Sequence, residues 1–424
     1  MKTATTSRTP EADAIACLVL EQFDKLPPKR KPTVRDNGTR EWVPLSGIVA
    51  RGGDGSMKCL ALATGMKCLP AAKIPAANGS VLHDWHAEVL AIRAFNHFVL
   101  EECKRTAVTD EPSRYLRRRS GEEISREEEA WYGQPFAWRD DVTLHMYCSE
   151  APCGDASMEL TMAAQEDASP WETPPAAADG SDAGDVSLPG RGFFSQLGIV
   201  RRKPARGDAP PTLSKSCSDK IALKQCTSLL SSLTSLLVSP EAAYIRSLVL
   251  PESQYSATGC QRAFSPDGRM GPVRGRSWPG GYSFVPFEVR TTAQEFSYSR
   301  QSLRPGEKVA ASNLAVAWTA HGMEEGLING VLQGRKQSDP RGASLTSRRA
   351  MWTKVLEVAS LSGEFSSEAQ TLLSSATYDD VKDGELLAGR RRVKSEARQE
   401  ALNGWLRNSG DSGFSLGVQG NSKQ

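Results

Sequence analysis

The stretch HDWHAEVL, residues 83–90, decides how this chain is interpreted. It places two of the chain's five histidines three residues apart, next to Asp84 and Glu88. Apolar residues then recur at helical spacing up to Val99, which predicts an amphipathic helix with His86 and Glu88 in its first turn. Such a turn fits either a metal site with its own proton carrier or the polar start of an ordinary helix. The choice depends on whether the rest of the chain supplies matching parts.

Length and composition narrow the classes of protein. The chain has 424 residues, 39% of them apolar, a net charge of +2, and nine cysteines without the close pairing of a secreted disulfide framework. The apolar run AIACLVL, residues 14–20, is too short to cross a membrane and is preceded by acidic residues, unlike a signal peptide. We therefore expect a soluble intracellular protein, cytoplasmic or nuclear or both, with no membrane association. In that compartment cysteines serve metal binding or catalysis more often than disulfides.

The pattern of apolar segments predicts an α/β fold. A first helix is expected over residues 11–26, and WVPLSGIVARGG and KCLALATGMKCL are typical of two strands joined in a hairpin. DVTLHMYC predicts a strand of alternating apolar residues that leads through a loop into a helix, and SCSDKIALKQCTSLLSSLTSLL predicts a turn and a helix. In the last third, YSFVPFEVRTT and SNLAVAWTAHG predict strands, followed by helices to about residue 407.

Charge is unevenly distributed along the chain. Residues 161–190 hold six acidic residues and no Lys or Arg, and their low apolar content predicts a flexible insertion of unknown role. Basic clusters follow at 191–220, 334–349 and 389–398. Any one of these is most simply a solvated surface, but several together favour a polyanionic partner. We expect one catalytic domain over residues 1–424 that contains this insertion.

Three short motifs share a layout that fits a metal site. HAE opens a helix, PCGD follows a strand and opens a helix, and SCSD precedes a helix. Helix N-termini help hold a thiolate, and catalytic zinc takes three protein ligands and leaves one position open. Zinc-dependent nucleobase deaminases combine H-x-E, whose Glu carries protons, with P-C-x-x-C. Here Ala156 stands where the second Cys of that motif belongs, so Cys217 is the best candidate for the third ligand, while His83 is assigned to the pocket wall.

The same motifs carry a resemblance to a known family. In order they are GMKCLP (65–70), HDWHAEVLAIRAF (83–95), YCSEAPCGDAS (147–157), SCSDKIALKQ (216–225) and AVAWTAHGMEEGLINGVLQGRK (315–336). An H-A-E, a P-C-G-D and a distant S-C-S-D-K resemble the adenosine deaminases that act on RNA, and most closely the tRNA-specific adenosine deaminase 1 family. KPARGD and GGYSFVPFEVRTT are similar to the tRNA branch, and no duplex-RNA-binding module is expected ahead of the motifs.

The resemblance implies a fold, two cofactors and a set of site residues. The fold is a cytidine-deaminase-like three-layer α/β/α sandwich around a mixed sheet, extended by C-terminal helices. One zinc per chain is bound by His86, Cys153 and Cys217, and Glu88 shuttles protons. The second cofactor is a buried inositol hexakisphosphate, and Lys67 lies beside the RNA backbone. The residues expected to bind the inositol phosphate are Arg93, Lys220, Ser232, Arg348, Tyr378, Lys382, Lys394 and Trp405, whereas Ile92 and Leu223 stand where related editors often carry Arg.

The implied activity is zinc-dependent hydrolytic deamination of adenosine to inosine in tRNA, at position 37 of alanine tRNA, with no protein partner required. Three other interpretations stay open on the residues alone. The chain could edit adenosine in other structured RNA, or deaminate cytidine with the same zinc and Glu. It could also be a non-catalytic RNA-binding protein whose zinc is structural, which would require a fourth protein ligand.

Overall fold

The computed structural model describes residues 8–109, 111–124, 131–164, 196–203, 210–303, 306–362, 365–375 and 377–416. The strands are β1 Arg40–Trp42, β2 Leu45–Arg51, β3 Met57–Thr64, β4 Leu116–Arg118, β5 Phe136–Trp138, β6 Thr143–Cys148, β7 Val238–Ser239, β8 Ile245–Pro251, β9 Ser277–Trp278, β10 Tyr282–Ser283, β11 Glu288–Thr292, β12 Val309–Ala311, β13 Ala315–Thr319, β14 Glu324–Ile328 and β15 Val331–Leu332. The helices are α1 Pro10–Asp24, α2 Ala87–Val108, α3 Gly121–Ile124, α4 Met158–Ala163, α5 Cys217–Thr227, α6 Ala257–Phe264, α7 Arg348–Ser362, α8 Ser367–Leu373, α9 Tyr378–Asp383 and α10 Ala388–Glu400.

The centre of the fold is a mixed eight-stranded sheet. Its strand order is β11-β8-β6-β2-β3-β13-β14-β15. Strand β8 runs parallel to both of its neighbours, β6 and β11, whereas β2 and β3 form the antiparallel hairpin that the sequence predicts. On the other side of β3, strands β13, β14 and β15 continue the sheet as an antiparallel meander.

Helices cover both faces of this sheet and give it three layers. On one face α1 packs its buried side, including Ile15, Val19 and Phe23, against apolar residues of the central strands. On the other face α2 lies across β2, β3 and β13, with α5 and α7 beside it. This arrangement confirms the predicted three-layer α/β/α class with a mixed sheet. Within the described residues, none of the helices is long and apolar enough to cross a membrane.

Because helices cover both faces of the sheet, the alternation predicted for strand β6 is wrong. Strand β6 was expected to alternate between buried and solvated positions, but five of its six residues are buried. A strand in the middle of a sheet with helices on both faces has no solvated side, so its apolar residues run almost continuously.

Three other boundaries also differ from the sequence predictions. The helix that begins at Cys217 ends at Thr227, because Ser228 takes a positive φ of 55° and stops it. YSFVPFEVRTT divides into β10 and β11 instead of forming one strand. Helix α4 extends to Ala163, so the first residues of the predicted insertion are helical, and 165–190 lie outside the described residues.

Candidate active site

Three sequence-distant residues meet where α2 and α5 begin. His86 is the N-cap of α2, Cys153 lies in the loop that follows β6, and Cys217 is the first residue of α5. Their ligand atoms all lie within 4.8 Å of one another, with Sγ of Cys153 3.9 Å from Nδ1 of His86. Among the described residues this group contains no fourth His, Cys, Asp or Glu. A closed structural zinc site would need that fourth ligand, so the geometry fits an open site.

Backbone contacts fix the loop that carries Cys153. The N–H of Ser218 donates to the carbonyl of Cys153 at 3.0 Å, and its hydroxyl donates to the carbonyl of Pro152 at 2.8 Å. Gly154 takes a φ of 105°, and a Cβ built there would lie 2.2 Å from the hydroxyl oxygen of Ser216. The glycine of PCGD is therefore required, because any side chain would push the loop away from α5.

Electrostatics around the two cysteines favour a thiolate. The Nζ of Lys203 lies 3.1 Å from Sγ of Cys217, and the N–H of Cys217 points at Sγ of Cys153 at 3.4 Å. A hydrogen bond from the Cys217 thiol, together with the charges of Lys203 and His86, holds the pKa of the Cys153 thiol well below its ordinary value, whereas burial raises the pKa of the Cys217 thiol well above its own. Two sulfurs and one imidazole nitrogen are the donor set that zinc prefers, so these residues fit the expected metal.

Glu88 lies in the first turn of α2, next to this group but not part of it. Its residue is only 5% exposed, and burial, with Cys153 nearby, raises the pKa of its carboxyl group. Burial raises the pKa of a second carboxyl group, that of Glu150, to about 7, and the negative charge of Glu88 adds to this shift. A carboxyl group whose pKa lies closer to neutrality can both accept and release a proton at physiological pH, which is the requirement for a proton shuttle.

Two residues that the sequence analysis did not select complete the surroundings. Asp84 accepts the backbone N–H of His86 at 3.0 Å and the ammonium of Lys203 at 2.9 Å. It also forms an ion pair with Lys220. The carboxylate of Asp84 is therefore neutralised by two lysines, although it lies within ligand distance of Cys68 and His86. Asp84 stands in the HDWHAE motif itself, but nothing in the sequence shows that Lys203 reaches it from 119 residues away.

Comparison with known proteins identifies the family. The Adenosine-deaminase (editase) domain matches residues 61–409, a range that includes the His86, Cys153 and Cys217 group. The chain belongs to this family. It is therefore an enzyme that deaminates adenosine, which excludes the non-catalytic interpretation left open by the sequence.

Individual relatives extend this finding. The chain is 35% identical over 403 residues to tRNA-specific adenosine deaminase 1 of Schizosaccharomyces pombe, covering 94% of this chain and 95% of the relative. It is 32% identical over 244 residues to the Saccharomyces cerevisiae protein of the same name, covering 56% and 58%. A Drosophila melanogaster protein, double-stranded RNA-specific editase Adar, is 24% identical over 414 residues, covering 93% of this chain and 54% of that protein.

Next to the His/Cys group of this adenosine deaminase lies a cavity of ≈ 530 Å³ lined by nine Lys and Arg side chains and three Asp. Seven of the eight residues expected to bind inositol phosphate line it, and the eighth, Arg93, is half-buried and close enough to Arg348 for the two positive charges to repel each other. The seven are Lys220, Ser232, Arg348, Tyr378, Lys382, Lys394 and Trp405. Further cations that the resemblance did not assign are Lys215, Arg390, Arg391, Arg398 and Arg407.

The cavity holds more positive charge than its own carboxylates neutralise. Burial and the neighbouring Arg390 and Arg348 lower the pKa of Lys382 to about 8, and burial with Lys382 and Arg390 lowers that of Lys394 far below its usual value. Crowded cations of this kind fit a ligand with many anionic oxygens.

Two contacts join this cavity to the His/Cys group. Lys220 lines the cavity and pairs with Asp84, which in turn accepts the N–H of His86. His83 also lines the cavity. Its Nε2 lies 2.7 Å from the carboxylate of Asp411, and Arg348 lies 3.2 Å from its Nδ1. A change of charge in the cavity therefore alters the electrostatic potential at the N-terminus of α2.

Lys67 lies in the segment between β3 and α2, close to the His/Cys group. Its carbonyl accepts the N–H of Trp85 at 3.0 Å, and its ammonium donates to the side chain of Asn313. Lys67 is half-buried and adjoins Cys68, which is within ligand distance of His86. This position is compatible with the predicted contact to an RNA backbone.

Proposed function

We propose that this enzyme catalyses zinc-dependent hydrolytic deamination of adenosine to inosine in tRNA. The observation that carries the proposal is the group formed by His86, Cys153 and Cys217, with buried Glu88 beside it. The substrate is supported by the name and near-complete coverage of the Schizosaccharomyces pombe relative. Editing of other structured RNA remains the second candidate, because the Drosophila editase also aligns along most of this chain.

Zinc would be held by His86, Cys153 and Cys217. When bound, the metal supplies Lewis acidity that makes a water molecule nucleophilic near neutral pH. Lys203 and the N-terminus of α5 stabilise the sulfur ligands as thiolates, and Asp84 orients His86 through its backbone N–H.

Glu88 acts as the general base and general acid of the reaction. It accepts one proton from the attacking water as the bond from oxygen to C6 of adenine forms, and passes that proton to the ring nitrogen. It then takes the second proton from the hydroxyl group now on C6 and passes it to the departing amino group. The C6–N bond breaks, ammonia leaves, and inosine remains. The burial that raises the pKa of Glu88 makes both halves of this exchange accessible near neutral pH.

The target base must leave its stack to reach this buried site. In an anticodon loop the base is unpaired, so this costs little, whereas a base in a perfect duplex must first lose its pairing. We propose adenosine 37, on the 3′ side of the anticodon of alanine tRNA, as the physiological target, within an intracellular compartment.

Wild-type protein incubated with alanine tRNA should convert the adenosine 3′ to the anticodon to inosine. A long perfect RNA duplex should be deaminated far more slowly, because each target base must be unpaired and unstacked first. Nucleoside mass spectrometry of both products measures this, with a transcript that carries guanosine at position 37 as the control. Efficient conversion of the duplex with untouched tRNA would favour the second candidate.

The pure protein should contain one zinc per chain, and Cys217→Ala should lose most of it. Replacing one of three ligands removes a strong zinc–sulfur bond, and the remaining two ligands cannot hold the ion tightly. Elemental analysis after dialysis measures the content. Cys226→Ala is the matched control, because Cys226 is a buried thiol on the same helix that packs in the apolar core. Full zinc retention in Cys217→Ala would remove that residue from the site.

We further propose that the cavity binds inositol hexakisphosphate. Arg93, Lys220, Arg348, Lys382 and Lys394 would contribute cations to it. The nine crowded Lys and Arg side chains, set against three Asp, support a dense polyanion, since such a ligand neutralises many cations at once. In this role the ligand is part of the core, because it offsets a repulsion that the fold otherwise cannot relieve.

A further inference from the structure

Positive charge is concentrated in two segments outside the cavity. Residues 25–42 carry six basic and two acidic residues, and residues 333–341 carry three basic and one acidic residue. Together their excess is larger than the net charge of +2 of the whole chain. With Lys67, they form what we call the basic track: Lys29, Arg30, Arg35, Lys67, Arg335 and Lys336.

The track begins beside the catalytic group. Lys67 adjoins Cys68, and the pKa of Lys67 is lowered by its burial and then by the positive charge of Arg35. The loop that carries Arg35 is held in place, because the N–H of Glu41 donates to the carbonyl of Thr33 at 3.0 Å and β1 pairs with β12. Arg35 is therefore held at a fixed position close to Lys67.

The track continues along the β14–β15 edge of the sheet. Arg30 donates to Glu324 at 3.2 Å and to the side chain of Gln333 at 3.3 Å, which joins the first basic segment to the second. Gln333 follows Gly330, whose carbonyl accepts the N–H of Leu82 just before His83. Three extended residues span at most roughly 10 Å, so Gln333, the first residue of the second segment, lies within that reach of Gly330, which contacts Leu82.

Several cations of the track keep their charge available to a partner. Lys29, Arg35, Arg335 and Lys336 are exposed. Arg30, Arg35 and Arg335 each pair with one carboxylate, namely Glu324, Glu41 and Asp339, but these pairs are partly exposed and therefore weak, so a phosphate can replace the carboxylate. Lys29 directly precedes Arg30, and Lys336 follows Gln333 by three residues.

We propose that the basic track binds the phosphate backbone of the tRNA body, outside the anticodon loop. This proposal rests on tRNA being the substrate. A base that enters the site brings its own backbone past Lys67, and the strand that continues from it meets a surface of matching charge. Contacts to phosphates fix orientation without reading sequence, so the track would position the anticodon arm while the site itself selects the base.

The double variant Lys29→Glu/Lys336→Glu of the full chain tests this. Its Kd for alanine tRNA should be about 10-fold weaker near physiological salt, and the slope of log Kd against log salt should fall by roughly 2. An isolated seven-nucleotide RNA with the sequence of the anticodon loop has no paired stem to lie on the track, so its Kd should change by less than about twofold. Filter binding over a salt series measures all three. Lys29→Gln/Lys336→Gln should give an intermediate loss, which guards against an effect of misfolding.

The matched control is Lys58→Glu/Arg246→Glu. Both residues are exposed, and they lie near the starts of β3 and β8, at the end of the sheet away from His86. This variant changes net charge equally and should bind tRNA like the wild type. An unchanged Kd in the track variant, equal losses for tRNA and the seven-nucleotide RNA, or equal losses in the control would each overturn the proposal. Inosine formation by the wild type is measured separately, so failure of the proposed activity is distinguishable from failure of the track.

Discussion

Replacing Glu88 with Gln should leave a folded, zinc-loaded protein that deaminates adenosine about 10²–10⁴-fold more slowly or not measurably at all. Gln keeps the size and polarity of the side chain, so the packing of the first turn of α2 is retained. It cannot accept and release protons, and the reaction requires several transfers through one group. The measurement is single-turnover inosine formation, together with zinc content and circular dichroism of the same preparation.

Glu150→Gln provides the matched control for that experiment. Glu150 is a neighbouring carboxylate that accepts the backbone N–H of Arg300 at 3.0 Å, and a Gln carbonyl can accept the same bond. Its substitution should leave turnover near the wild-type rate. Near-normal turnover by folded, zinc-loaded Glu88→Gln would end the assignment, and equal loss in both variants would assign the effect to local electrostatics instead.

The candidate site was predictable where each residue stands in a local motif. His86 and Glu88 occupy the first turn of a strongly periodic helix, and Cys153 follows a strand, so their placement depends on nearby sequence alone. Cys217 was harder to select, because it lies 64 residues beyond Cys153 and replaces the nearer Cys of the usual motif. Its N-terminal position on α5 was the useful signal, since that position brings a thiol and free N–H groups together.

The sequence analysis did not select the residues that contact the site or the cavity from distant segments of the chain. Lys203 supports Asp84 and Cys217 through contacts that no spacing reveals. Lys215 and Arg398 line the cavity from separate segments, although either would read as an ordinary solvated cation in sequence. Periodicity predicted the α/β pattern and the family resemblance implied the three layers, whereas the burial of β6 on both faces depends on α1 and α2 covering the sheet together.

The effect of Lys394→Met on the free energy of unfolding should depend on whether the cavity binds a polyanion. If it holds a polyanion, Lys394→Met removes a cation from a buried ionic network and should lower the free energy of unfolding by about 3–5 kcal/mol. If no anion binds, the same change removes a charge that Lys382 and Arg390 repel, and should raise the stability. Urea unfolding of the two proteins measures the difference, and mass spectrometry of the denatured wild type should detect inositol hexakisphosphate.

Arg392→Met is the control for Lys394→Met, because Arg392 lies on the same helix but faces outward and pairs with Glu396 four residues on. An exposed pair of this kind contributes about 0.3–0.5 kcal/mol, so its loss should barely change the unfolding curve. The contrast between the two variants separates an effect of the cavity from an effect of helix charge. A Lys394→Met protein more stable than the wild type, with no inositol phosphate released, would show that the cations are tolerated without a ligand. A destabilised variant and a released polyphosphate would together make the anion a structural part of the deaminase.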